Sequence, residues 1–107
     1  MAKIKALVKD PGKAPEIVEV DNSLKGLQEL VGGFIEVVTK IPGQLVMLVD
    51  EEGKMKSLPV NFMDYQLDDF IVGRAVFLGE DGEEFTDVPE DLAQDMIETM
   101  PVYTPWW

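Results

Sequence analysis

The sequence predicts an α+β domain, a mainly antiparallel sheet of five or six strands with two helices packed on it. Three observations carry that expectation. Apolar residues alternate or run continuously in five short segments of strand-forming composition. Turn dipeptides separate them: Pro11-Gly12, Pro42-Gly43 and Asp81-Gly82. Two other stretches, near Leu24–Val31 and Glu90–Met100, carry apolar residues at helical spacing.

Lys3–Lys9 alternates, with Ile4, Ala6 and Val8 on one face, the lysines on the other, and Leu7 breaking the pattern. Outward lysines suit an exposed sheet edge. Glu16–Val20 alternates again, so the two form a hairpin across Asp10-Pro11-Gly12. Asp21, Asn22 or Ser23 caps a helix over Leu24–Val31. Leu24, Leu27, Leu30 and Val31 make its stripe, Gly26 weakens it by about 1 kcal/mol against Ala, and Gly32 stops it. Phe34–Thr39, Leu45–Val49 and Lys54–Leu58 read as a three-stranded meander, with Leu45–Val49 central because it is apolar on both faces. Pro59–Asp69 reads as an irregular loop, and Phe70–Leu78 as one long strand. Glu83–Thr86 is a short strand. Asp87 caps the second helix with Glu90 three residues on, and Leu92, Ala93, Met96, Ile97 and Met100 form its buried stripe. The division is a single domain over residues 1–100 and an apolar tail over residues 101–107.

Composition narrows the chemistry. The chain has 107 residues, no cysteine and no histidine. Disulfides, thiolate catalysis and the commonest general base are therefore excluded. Two serines leave few parts for a nucleophile–base dyad, and 21 acids produce carboxylate pairs by chance, so the reading is not an enzyme and implies no cofactor. Asp50-Glu51-Glu52 and the Glu80–Glu84 turn are oxygen-rich, but neither has the alternating acids of a calcium loop; they read as solvated tips, and no metal is expected. No apolar run is long enough to span a membrane, and the lysine-alternating start is not a secretion signal, so a cytoplasmic protein is expected.

The net charge of −12 disfavours nucleic acid and anionic membranes as partners. Its distribution says more. Residues 1–56 hold 9 acids and 8 lysines, whereas residues 57–107 hold 12 acids and one base, Arg74. Glu90, Asp91, Asp95 and Glu98 fall on the outer face of the second helix, where they serve solubility or meet a basic partner. Arg74 lies among apolar positions and needs a carboxylate, either internal or a ligand anion. In the ligand reading, Arg74 and Asn61 line a pocket with Asp50, Glu51 and Glu52, suited to a nucleotide-like anion. Tyr103, Trp106 and Trp107 either fold back on the sheet or contact a second copy, giving a homo-oligomer.

Several stretches resemble a known family: Asp21-Asn22-Ser23-Leu24, Leu27–Glu36, Asp50-Glu51-Glu52-Gly53-Lys54, Leu58-Pro59-Val60-Asn61 and Ile71-Val72-Gly73. That family is a small uncharacterised domain of phages, plasmids and gut metagenomes of bacteria. Its pattern has Asn at the first position of the acidic turn and Arg after the Leu-Pro-Val-Asn step. Here Asp50 and Phe62 stand there, so nothing attached to that Arg carries over. The resemblance covers roughly residues 2–98 and implies no settled activity. It implies a setting in mobile elements, where small acidic proteins often counter host defence. The combined expectation is a non-catalytic acidic protein that binds a basic surface of a host protein; the alternative is the nucleotide-like anion binder.

Overall fold

Leu45–Asp50 is buried at every position, and the sheet is built around it. In the computed structural model, which describes residues 2–100, the elements in chain order are as follows. Strands β1 (Lys3–Lys9) and β2 (Glu16–Asp21) precede helix α1 (Leu24–Val31) and strands β3 (Ile35–Ile41) and β4 (Leu45–Asp50). Then come β5 (Val60–Asp64), β6 (Asp69–Val72), β7 (Ala75–Asp81), β8 (Glu84–Thr86) and helix α2 (Glu90–Thr99). The main sheet runs β2-β1-β7-β4-β3, with β8 also on β7, and every pairing in it is antiparallel. A second, two-stranded sheet is the β5–β6 hairpin. The fold is α+β, as expected.

Each face of the main sheet has its own core. One joins Ile4, Val8, Val46, Leu48, Val76 and Leu78 to Leu27 and Val31 of α1. The other joins Leu7, Met47, Val49 and Phe77 to Ile71 of the hairpin and Ala93 of α2. The sheet is thus covered by α1 on one side and by α2 and the hairpin on the other. A strand between two covers must be apolar on both faces, as β4 and most of β7 are.

The expected hairpin of β1 and β2, both helices, the Gly32 stop and the β7–β8 turn are all present. Ser23 is the cap of α1, its Oγ accepting the Gly26 N–H. Six expectations need correction. β1 is an interior strand between β2 and β7, and Lys9 is buried; Leu7, the residue that broke the alternation, marks burial on the second face. Lys54–Leu58 is not a strand. Residues 54–57 are exposed and Ser57 has φ of 56°, which breaks an extended run, so β4 takes β7 as its second partner. Pro59–Asp69 is not irregular but holds β5 and the turn into β6. Phe70–Leu78 is two strands, broken at Gly73, whose φ is 72° and where any Cβ would lie 2.7 Å from Leu58. Asp87 does not cap α2: its carboxylate accepts the Lys5 backbone N–H, and α2 starts after Pro89 without a side-chain cap. Within the stripe of α1, Leu24 is also exposed rather than buried.

Candidate functional site

The residues expected to line a ligand pocket turn inward on the protein. Arg74 follows the Gly73 break and sends its guanidinium to Asp10. Nε donates at 2.7 Å and Nη2 at 3.1 Å to the two carboxylate oxygens, a two-pronged pair. Nη1 donates to the Leu30 carbonyl at 3.0 Å, in the last turn of α1, where carbonyls lack helical partners and a cation is favoured. Asn61 is fully buried in β5. Its Nδ2 donates to the carbonyls of Lys9 and Gly73, at 2.7 and 2.8 Å, and its Oδ1 accepts from Lys9 Nζ at 3.1 Å. Lys9 Nζ also donates to the Asp10 carbonyl. Burial pulls the Lys9 ammonium below its ordinary range, against the pull of the Asp10 charge. The cluster ties together β1, β5, the β6–β7 break and α1, and its polar groups are engaged with one another.

A second ionic knot holds the acidic turn. Asp50 is buried at the end of β4 and accepts from Lys56 Nζ at 2.7 Å and from the Glu52 N–H at 2.8 Å. Burial pushes its carboxyl up, but the Lys56 hydrogen bond, the Glu52 N–H and the Lys56 charge outweigh it, leaving it below the usual carboxylate range. A Cβ at Gly33 would fall 2.7 Å from both Asp50 Oδ2 and Lys56 Nζ, so this ion pair presses against the chain just after α1. Lys54 likewise pairs with Asp69, and Lys40 with Asp64.

The five residues of the pocket reading do not line one hollow. Asp50 and Glu51 border a hollow of about 190 Å³ between β3–β4 and β6, floored by Val38, Val49 and Ile71. Glu52 borders another, beside Gly33 and Phe34. Arg74 and Asn61 line neither. Glu90, Asp91, Asp95 and Glu98 are all exposed on α2, and Glu90 also borders a groove of about 520 Å³ between α2 and the β1–β2 hairpin. Tyr103, Trp106 and Trp107 lie outside the described residues. Among the described residues, no group of three or more acidic side chains is set to hold a metal ion. Among them, too, no helix is long and apolar enough to cross a membrane.

Sequence reasoning missed Lys9 and the inward role of Asn61. A lysine at the end of a strand and an asparagine after Leu-Pro give no sign of burial. The single signal was Leu7, which already marked that strand as two-sided.

Most of the stretches that carry the family resemblance meet in these knots, whereas Asp21–Leu24 lies apart at the start of α1. Gly33 abuts Asp50 and Lys56, Gly53 abuts Val72, Leu58 abuts Gly73, the Gly73 N–H donates to Pro59, and Asn61 holds the Gly73 carbonyl. A family model described as a domain of unknown function, DUF3846, matches residues 4–101. The chain belongs to the DUF3846 family. No curated protein and no solved structure matches it. In this DUF3846 domain, then, most of the residues behind the resemblance build the joint between the acidic turn, the hairpin and α1.

Proposed function

We propose that this protein is a non-catalytic interaction domain that offers its acidic C-terminal segment to a basic surface of another protein. The observation that carries the reading is the separation of charge. No Lys or Arg follows Arg74, while nine carboxylates stand between Glu80 and Glu98. None of the nine is in an ion pair among the described residues; the five pairs there use Glu29, Asp64, Asp69, Asp50 and Asp10. Unneutralised carboxylates along a turn and a helix make a field that speeds encounter with a cationic surface. The resemblance to a mobile-element family suggests the setting, a phage or plasmid product acting on a basic host protein such as a nucleic-acid-handling defence nuclease.

The anion-binding alternative has less support. Arg74 and Asn61, its two donors, are engaged with Asp10, Leu30, Lys9 and Gly73.

The test uses the full chain and its quadruple variant Glu90→Lys, Asp91→Lys, Asp95→Lys, Glu98→Lys, both checked for native circular dichroism. Each is immobilised and exposed to host lysate at low and at high salt. The wild type is expected to capture a basic protein at low salt, and the variant to lose at least about tenfold of that capture. Capture that survives the reversal, or no capture at low salt, ends the proposal.

A further inference from the structure

The path β2-β1-β7-β4-β3 ends in β2 and β3, and these two edges are not alike. β2 carries exposed Glu16 and Glu19, the kind of charge that discourages pairing with another strand. β3 carries a single exposed acid, Glu36, and other groups close only its C-terminal half. There the register shifts between Thr39 and Ile41, Lys40 pairs with Asp64, and Gln66 Nε2 donates to the Lys40 carbonyl. Its first four residues, Ile35 to Val38, have no Lys, Pro or bulge.

The backbone in that half faces outward in a defined pattern. The Phe34 carbonyl accepts the Glu51 N–H at 2.8 Å, so it points toward the β4 side. Strand alternation then turns the N–H and C=O of Ile35 and Val37 to the open side. Four main-chain groups are thus presented at the spacing an added strand requires.

Apolar surface flanks this edge on both faces. Eight large apolar side chains are exposed among the described residues. Leu24, Phe34 and Val37 lie on the α1 side, Val37 being 50% exposed. Met55, Leu67 and Phe70 line the hollow of about 190 Å³ on the opposite face. Six of the eight therefore border one short length of strand. Such clustering marks an interaction site more than scattered exposure does.

Charge selects the occupant. Glu36 and Glu51 line the hollow without an ion pair among the described residues, whereas the nearby Lys54 and Lys56 are held by Asp69 and Asp50. A second copy would bring another Glu36 and another net charge of −12 to the same edge. We propose that the Ile35–Val38 edge of β3 is a strand-addition site for an extended apolar segment of a partner protein that carries Lys or Arg. Main-chain bonds to Ile35 and Val37 hold the segment. An apolar side chain enters the hollow over Val38, and a basic one meets Glu36 and Glu51.

This site is separate from the acidic face of α2 and stands or falls without it. The probe is a blocked synthetic octapeptide, Gly-Lys-Val-Phe-Val-Lys-Val-Gly, in three forms: as written, with Glu for both Lys, and with alternate amides N-methylated. Each is titrated into the nitrogen-15-labelled full chain and followed by amide shifts and hydrogen exchange. The unmodified peptide is expected to bind saturably and to slow exchange at Ile35 and Val37. The acidic and N-methylated forms are expected to bind at least about tenfold more weakly. Glu36→Lys, an exposed substitution that leaves the core intact, should reverse the preference between the basic and acidic peptides. The proposal is overturned by any of four results. These are no saturation at millimolar peptide, equal binding of the N-methylated form, shifts confined to α2, or protection of Ile35 and Val37 by self-association without peptide.

Discussion

Asp50 illustrates how a surface-looking acid becomes structural. In sequence it opens an acidic turn; in the fold it is buried and bonded to Lys56 and to the Glu52 N–H. Its folded-state pKa lies below the roughly 3.9 of an unfolded Asp. A depressed carboxyl contributes stability that is fully present above the unfolded value and is lost as pH falls through the folded one. Asp50→Asn is therefore expected to cost about 1–2 kcal/mol near neutral pH, a figure reduced because Lys56 is 40% exposed. Urea denaturation of both proteins across pH should show the gap narrowing below about pH 4. A gap that stays constant down to acid pH would assign the loss to packing instead. Arg74 shows the opposite side of the same problem. Its need for a carboxylate was readable from its apolar neighbours, but the choice of Asp10, 64 residues away in sequence, was not.

The elements differ in how openly they announced themselves. α1 was legible because its cap, its apolar spacing and its stop are all local signals. Even there, one residue changes meaning in the fold. Gly26 looks like a weak spot that Ala would improve by about 1 kcal/mol. In the structure a Cβ at that position would lie 2.7 Å from the Asp21 carbonyl and 2.9 Å from Asp21 Cβ. Gly26→Ala is thus expected to lower stability by about 1–3 kcal/mol, as overpacking does, and thermal unfolding measures it. An increase in melting temperature would mean that the end of β2 yields without cost. The misread elements share one cause. Side-chain type suits the segment 54–58 and the long run 70–78 to strands, while left-handed residues, Ser57 and Gly73, interrupt them. Whether a serine adopts φ above zero depends on what surrounds it, and a local pattern does not contain that.

Across the molecule, charge dominates what is unusual. Five ion pairs among the described residues leave most of the 21 acids without a cation. A chain of net charge −12 repels itself in the compact state, and salt screens that repulsion over about 10 Å at 0.1 M. Melting temperature is expected to rise with added sodium chloride; a fall would show that the ion pairs outweigh the repulsion.

Composition, turn signals and period were enough for the class of fold, both helices, the first hairpin and the charge asymmetry, because each is written in neighbouring residues. The sheet order, the β5–β6 hairpin, the burial of Lys9 and Asn61 and the open half of β3 came only from the assembled protein. They depend on which distant strands meet, and the free energy that selects those partners lies in two-sided burial and in long-range polar contacts such as Asn61 with Lys9 and Arg74 with Asp10.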